Sequence, residues 1–118
     1  MTMNPGKPNH QIDYLELSAS HLGITKDFYT SVFGWKFEDY GPDYTSFFDG
    51  RLGGGFVRRK PPAAAGILVV FSAADLALTH EKIKAAGGVI VKDIFPFPGG
   101  RRFHFADPSG NELAVWSE

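Results

Sequence analysis

Two ionisable side chains on the polar faces of predicted strands, Glu16 and His104, are the candidate catalytic residues of this chain. Imidazole exchanges protons near neutral pH and a neighbouring carboxylate would fix its tautomer, so the pair suits metal-free acid–base chemistry. Tyr14, on the same predicted face as Glu16, would donate a hydrogen bond to a substrate oxygen. Two other interpretations stay open for these residues together with Glu112: a displaced divalent-metal site, or polar side chains that only line a cavity.

A second group of candidates would bind an organic ligand. Aromatic rings offer flat apolar area, and a guanidinium group can meet an anion. The candidate ligand-binding residues are Tyr14, Trp35, Phe48, Arg102, Glu112 and Trp116. Packing in the core or in a dimer interface is the alternative for the Trp and Phe residues. Sequestration of a small molecule is therefore a hypothesis of a different class from catalysis.

The composition excludes several functions before any element is placed. The chain has 118 residues, with 12 Lys and Arg against 13 Asp and Glu, a formal charge of −1 and no cysteine. This length suits one domain, the balanced charge favours neither nucleic acid nor an anionic membrane, and the missing thiols exclude disulfides. No apolar stretch is long enough to span a bilayer, and residues 1–9 resemble a loose polar tail, so the expected compartment is the cytoplasm.

The candidate residues are positioned by a β-α-β-β-β order of elements that is predicted twice. The first half has strands over residues 12–18, 35–40, 45–49 and 56–59 and a helix over 22–33; the second has strands over 67–72, 89–93, 102–106 and 112–116 and a helix over 75–86. When the chain is shifted against itself, Ser18 falls on Ser72 and Gly34 on Gly88. The sequence therefore predicts a repeat, with modules over residues 10–60 and 67–118 and a linker over 61–66.

Two segments resemble the motifs of one family. Residues 22–35, LGITKDFYTSVFGW, resemble the helix of the vicinal oxygen chelate superfamily, and residues 100–116, GRRFHFADPSGNELAVW, resemble its final hairpin. That superfamily includes glyoxalases, bleomycin-binding proteins and extradiol dioxygenases, so the resemblance implies the fold more sharply than the function. It implies an α+β fold in which two βαβββ modules form a curved eight-stranded mixed sheet. It also implies homodimers whose cavities are completed by modules of both subunits.

The alternation of apolar and polar residues along the predicted strands agrees with such a curved sheet. One face is uniformly apolar and is expected to pack against the helices, whereas the other is mixed and is expected to line a pocket. The apolar positions are Leu15, Leu17, Val69, Phe71, Phe103, Phe105, Leu113 and Val115. The concave positions are Tyr14, Glu16, Arg102, His104, Glu112, Ala114 and Trp116.

The metal site that the resemblance implies does not fit the residues of this chain. Catalytic members hold a divalent metal with ligands from the first strand of each module and from the last strand, and those positions fall on Tyr14, Leu68 and Ala114. Leu68 and Ala114 carry no donor atom, and tyrosine is an uncommon ligand. No cofactor is therefore predicted, and a divalent metal stays an alternative only at a non-standard site near Glu16 and His104.

The resulting prediction is a glyoxalase- or bleomycin-resistance-like protein that binds a small organic molecule in the concave cavity, as a homodimer without nucleic-acid or membrane partners. The alternative is a metal-dependent lyase, isomerase or dioxygenase that uses a site near Glu16 and His104. A dimeric interaction module without a ligand is a third hypothesis, against which the ionisable residues of the concave face argue. Whether the protein is an enzyme, and on which substrate, stays open.

Overall fold

The computed structural model describes residue 10, residues 12–59 and residues 67–118, so the predicted tail (1–9) and linker (61–66) lie outside the described residues. Within the described part, eight strands and two helices follow the predicted order. They are β1 (Tyr14–Ala19), α1 (Leu22–Phe33), β2 (Lys36–Asp39), β3 (Tyr44–Phe48), β4 (Gly53–Arg58), β5 (Val69–Ser72), α2 (Leu76–Ala85), β6 (Val89–Phe97), β7 (Gly100–Ala106) and β8 (Glu112–Ser117). Neither of these two helices has the length and apolar character needed to cross a membrane.

Hydrogen bonding divides the strands into two four-stranded mixed sheets, one from each half of the chain. The first sheet has the order β1-β4-β3-β2 and the second has the order β5-β8-β7-β6. β1 runs parallel to β4 and β5 runs parallel to β8, whereas the other neighbours are antiparallel. The predicted α+β class with two βαβββ modules is confirmed, with the eight strands shared between two sheets.

A continuous aromatic core joins the two sheets to the helices. Phe33 at the end of α1 stacks on Phe71 of β5 with ring centroids 4.4 Å apart. Trp35 stacks between Tyr29, at 4.5 Å, and Phe47, at 4.2 Å. All the strand residues predicted to face the helices belong to this core or pack against it. The other face of each sheet is thereby turned away from the helices, and we call it the open face.

The turn after β7 links the two modules through side-chain hydrogen bonds. The Asp107 carboxylate accepts hydrogen bonds from the backbone N–H groups of Ser109 and Asn111, each at 2.9 Å, and from the hydroxyl of Tyr29 in α1 at 3.0 Å. The Asn111 amide donates to the carbonyl oxygen of Ser18 in β1 at 2.5 Å. Because these bonds cross from one module to the other, they fix how the two open faces lie relative to each other.

The hairpin of β6 and β7 is longer than the strands predicted over residues 89–93 and 102–106. β6 continues to Phe97, and it tolerates Pro96 because it is an edge strand, paired only with β7. The register shifts between Ile90 and Lys92 and again between Lys92 and Phe95, which indicates bulges. As a result Phe95 lies directly opposite Arg102.

Candidate functional site

The open face of the second sheet carries a cavity of about 490 Å³. The rings of Phe97 and Trp116 meet edge to face there, with centroids 6.3 Å apart. The cavity is lined by Val70, Phe97, Pro98, Gly99, Arg102, Trp116 and Glu118. Pockets of roughly 300–1,000 Å³ with mostly apolar walls and a few polar groups are typical of small-molecule sites. This cavity is therefore the candidate site.

The guanidinium group of Arg102 lies between two phenyl rings of β6. Its central carbon is 5.2 Å from the ring centroid of Phe95 and 5.3 Å from that of Phe97, within the range of cation–π attraction. Its Nε atom is buried, and no acceptor for its hydrogen lies within the described residues. A buried N–H without an acceptor costs about 1–3 kcal/mol. A ligand oxygen that reached this atom would therefore be bound favourably.

His104 lies two residues further along the open face of β7 and is oriented by Glu112 of β8. Its Nδ1 atom is 2.9 Å from a carboxylate oxygen of Glu112. The carboxylate can only accept a hydrogen bond, so the neutral ring carries its proton on Nδ1 and has a lone pair on Nε2. Nε2 is buried and has no hydrogen-bond partner in the described part of the chain. The ring of Phe95 lies 5.8 Å from the imidazole, so one phenyl ring lies against both His104 and Arg102.

The open face of the first sheet carries a pair of tyrosines. The hydroxyl groups of Tyr14 and Tyr44 hydrogen bond to each other. They meet above Gly55 of β4, where an added Cβ would overlap both hydroxyl groups. Burial, the hydrogen bond with Tyr14 and the neighbouring Glu16 carboxylate, in that order, raise the pKa of Tyr44. Tyr44 therefore keeps its proton and stays a hydrogen-bond donor at neutral pH.

The two predicted catalytic residues lie on different sheets. Glu16 is on β1 beside Tyr44, whereas His104 is on β7 of the second sheet. The carboxylate partner of His104 is Glu112, which the sequence analysis placed among the ligand-binding residues. Within one chain the structure thus pairs His104 with the nearer carboxylate of its own sheet.

The predicted ligand-binding residues fall into three places. Arg102, Glu112 and Trp116 share the open face of the second sheet with His104. Tyr14 and Phe48, each about half exposed, border a separate hollow of about 1,080 Å³ at the ends of β1, β4 and β5. Trp35 lies in the core with 6% of its surface exposed, since it is stacked on both sides. For Trp35 the structure therefore supports the core alternative and not ligand contact.

Three residues of these faces were not predicted as site residues. Tyr44 begins β3, one residue before the predicted strand, and its partner in β4 is Val57. Only Gly55, two residues away on the same face of β4, hints that a large side chain crosses there. Phe95 and Phe97 lie beyond the predicted end of their strand. Their positions over Arg102 depend on the register shifts in β6, for which the sequence offers no signal.

The residues at the implied metal-ligand positions do not fit a divalent metal. Leu68 presents only hydrocarbon, Ala114 is a buried methyl group, and the hydroxyl of Tyr14 is already bonded to Tyr44. Divalent metals in such sites need several converging nitrogen or oxygen donors. Across residue 10, residues 12–59 and residues 67–118, no three His, Asp or Glu side chains lie close enough together to hold an ion.

Comparison with known proteins gives the same fold. The sequence profile described as Glyoxalase/Bleomycin resistance protein/Dioxygenase superfamily matches residues 11–115. The chain is similar to the anthracycline biosynthesis protein DauV of Streptomyces sp. (strain C5), with 30% identity over 133 residues covering 95% of this chain and 47% of that protein. It thus spans about half the length of the curated relatives it matches.

Two solved structures illustrate the structural likeness. A glyoxalase-related enzyme from Fulvimarina pelagi superposes with a TM-score of 0.78 at 20% identity, covering 92% of this chain and 88% of that one. The fosfomycin resistance protein FosX from Listeria monocytogenes superposes with a TM-score of 0.78 at 17% identity, covering 92% and 93%. At these identities the likeness concerns the fold alone.

Proposed function

The chain belongs to the glyoxalase/bleomycin resistance protein/dioxygenase superfamily, and on that premise we propose that it binds a small planar aromatic molecule on the open face of its second sheet. The observation that carries this proposal is the cavity of about 490 Å³ in which Phe97, Trp116 and Arg102 meet. A flat ligand ring can pack against the indole and phenyl rings, while the guanidinium group attracts its π face or an oxygen substituent.

The curated relative is consistent with a ligand of this class. DauV is an anthracycline biosynthesis protein, and anthracyclines are fused-ring aromatic molecules. Trp116 and Arg102, two of the predicted ligand-binding residues, line the cavity. The proposal therefore rests on the residues of the cavity, with the relative as secondary support.

The metal-dependent alternative lacks support from the residues present. A lyase, isomerase or dioxygenase of this superfamily would need a donor set at the positions of Tyr14, Leu68 and Ala114, or a new one near Glu16 and His104. Glu16 and His104 belong to different sheets of one chain, and each is paired with another side chain. The residues at these positions therefore do not support a catalytic step that uses a metal ion.

We further propose that the protein is a homodimer whose two cavities are each closed by both protomers. The described part of one chain is elongated, with extents of 45 × 32 × 25 Å. Its open faces expose large apolar side chains, with Tyr14 49%, Phe48 50% and Val70 44% exposed. If the first sheet of one protomer covers the second sheet of its partner, these side chains are buried.

Tryptophan fluorescence tests the proposed ligand site, because only one of the two tryptophans lines the cavity. We expect 4-nitroanisole, a flat molecule that quenches indole emission, to quench the wild-type protein in a saturable way. Trp116→Phe keeps an aromatic wall but removes the reporter, so saturable quenching should disappear while the emission of the buried Trp35 shows that the protein is folded. Trp35→Phe is the matched control and should keep the quenching.

The opposite pattern would refute the proposed site. Quenching that persists in Trp116→Phe and disappears in Trp35→Phe would place the ligand elsewhere. Quenching that never saturates would indicate collisions and not binding. A bound ligand at 100 times its Kd should also add about 2.7 kcal/mol to the free energy of unfolding.

A further inference from the structure

We propose that a ligand of this cavity reaches past Arg102 to His104, which lies outside the lining, with an acidic hydroxyl group, a phenol or an enol. This group transfers its proton to Nε2 of His104 and is held as an anion by Nε–H of Arg102. The inference rests on the proposed function, because it names the chemical class of the ligand that the same cavity takes. It is carried by two buried nitrogen atoms that have no partner in the described part of the chain and lie two residues apart on one strand face.

His104 has the arrangement of a proton acceptor. Glu112 holds the proton of the neutral imidazole on Nδ1, at 2.9 Å, which leaves the lone pair of Nε2 unused. When a ligand O–H bond breaks, its proton goes to Nε2 and its electron pair stays on the ligand oxygen. The imidazolium that forms is stabilised by the Glu112 carboxylate, so no further reactant is needed. Glu112 thus acts as a positioning residue for His104.

Arg102 is placed to hold the resulting anion. Side chains at alternate positions of one strand project from the same face, with backbone atoms roughly 6–7 Å apart. Two hydrogen bonds of about 2.9 Å that share one oxygen span almost 6 Å. The proposal therefore requires Nε of Arg102 and Nε2 of His104 to lie within that distance of each other when the ligand is bound. A charge-assisted bond from guanidinium to an oxyanion is stronger than a bond between neutral groups.

Phe95 occupies the place that the ligand ring would take. Its ring centroid lies 5.2 Å from the Arg102 guanidinium carbon and 5.8 Å from the centroid of the imidazole, so Phe95 packs against both side chains. Phe95 belongs to an edge strand and lies next to a register shift. A phenol ring that displaces Phe95 keeps the cation–π contact with Arg102, and its oxygen satisfies the two nitrogens that Phe95 leaves unpaired.

The charged groups around His104 favour an anion at this position. Glu112 of β8 is bound to the far side of the imidazole at Nδ1, so it does not face the ligand oxygen. Lys92 of β6 is opposite His104 in the register, and its Nζ atom lies 4.1 Å from the ring centroid of Phe95. Arg102 lies on the same strand as His104, and Glu118 lines the cavity together with Arg102. Two cations thus flank the position of the ligand oxygen.

A matched pair of probes tests the inference on the full chain. 4-Nitrophenol has an ionisable hydroxyl group, and its phenol and phenolate forms absorb at different wavelengths; 4-nitroanisole has the same ring with that proton replaced by a methyl group. At a pH where free 4-nitrophenol is mostly neutral, we expect the wild-type protein to bind it with the phenolate spectrum. Because a charge-assisted hydrogen bond is lost when the phenol cannot ionise, His104→Gln should bind it roughly tenfold or more weakly, with the phenol spectrum.

His80→Gln is the matched control, because His80 is equally shielded and also paired with a carboxylate, Asp93, but lies on α2 away from the cavity. It should bind 4-nitrophenol as the wild type does, and His104→Gln should lose less affinity for 4-nitroanisole than for 4-nitrophenol. Glu112→Gln should shift the pH at which bound phenolate appears, which a merely structural role would not do.

The outcomes separate this inference from the proposed function. If 4-nitroanisole binds but bound 4-nitrophenol keeps the phenol spectrum, or if His104→Gln still gives the phenolate spectrum, the inference is overturned and the aromatic site stands. If neither probe binds, both are overturned. Phenolate binding by wild type and His80→Gln, lost in His104→Gln alone, is the result that supports it.

Discussion

Removal of one buried hydroxyl group should weaken the link between the two modules in a pH-dependent way. Tyr29 is fully buried in α1, and its hydroxyl donates to Asp107 in the turn after β7 at 3.0 Å. Tyr29→Phe deletes this hydrogen bond and keeps the ring, which stacks on Trp35. The substitution therefore tests the bond and leaves the aromatic core in place.

The magnitude follows from the charge and burial of the acceptor. Asp107 is 3% exposed and, besides Tyr29, accepts from Ser109 and Asn111. A hydrogen bond to a charged group contributes about 1.5–3 kcal/mol, and one to a neutral group contributes about 0.5–1.5 kcal/mol. Tyr29→Phe should therefore lower the free energy of unfolding by about 1.5–3 kcal/mol when Asp107 is ionised, and by about half as much when it is protonated.

The pKa of Asp107 sets the direction of the pH dependence. Burial raises this pKa above its usual value, and the hydrogen bonds from Asn111, Tyr29 and Ser109 oppose the shift. Between the unfolded pKa, about 3.9, and the raised folded pKa, the folded protein binds more protons, so the free energy of unfolding falls as pH rises. Losing the Tyr29 bond raises the folded pKa further. The variant should thus differ least from wild type at acidic pH and most above this window.

The difference in the free energy of unfolding is measured by chemical denaturation, followed by tryptophan emission. The measurement is repeated at several pH values and at one protein concentration. Tyr40→Phe is the control, because Tyr40 also donates to a carboxylate, that of Glu38, but is largely exposed and should show little change. A difference between Tyr29→Phe and wild type that is the same at every pH would refute the reasoning. So would a difference at neutral pH no larger than that of Tyr40→Phe.

Two further predictions concern the open faces. Gly55→Ala should push the hydroxyl groups of Tyr14 and Tyr44 apart and lower the pKa of Tyr44 towards its usual value, seen as earlier tyrosine ionisation in an alkaline absorbance titration. Gly53→Ala should leave the titration unchanged, because its added Cβ would lie 3.7 Å from the nearest atom, the carbonyl oxygen of Phe47, in ordinary contact. If both variants titrate alike, Gly55 does not maintain the pair. The proposed homodimer should sediment as a dimer at micromolar concentration, and a stable monomer there would contradict it.

Much of the fold was predictable because its signals are local. The helix over residues 22–33 ends at Gly34, whose φ of 70° is a conformation that glycine adopts without strain. Alternation predicted the buried faces of β1, β5, β7 and β8. The ends of β6 were not predictable, since proline and glycine over residues 96–100 are typical of a loop and only the edge position of the strand makes Pro96 acceptable.

The pairing of the site residues was less predictable than their faces. Alternation correctly put Glu16 and His104 on faces turned away from the helices, but it specifies nothing about which sheets face each other. That depends on tertiary bonds such as the one between Tyr29 and Asp107, which join residues far apart in the chain. Trp35 was ambiguous for the same reason, because a tryptophan after a helix suits a core as well as a pocket.

Ala114 bears both on the implied metal site and on the nitrogen of His104 that has no partner in the described part of the chain. Ala114 lies between His104 on β7 and Val70 on β5 in the register of the second sheet. In catalytic members that the sequence resembles, this position carries a glutamate, whose carboxylate would lie beside the imidazole. The methyl group of Ala114 can neither bind a metal nor accept a hydrogen bond. Ala114 thus supplies no partner to Nε2 of His104, the atom to which the proposed ligand would give its proton.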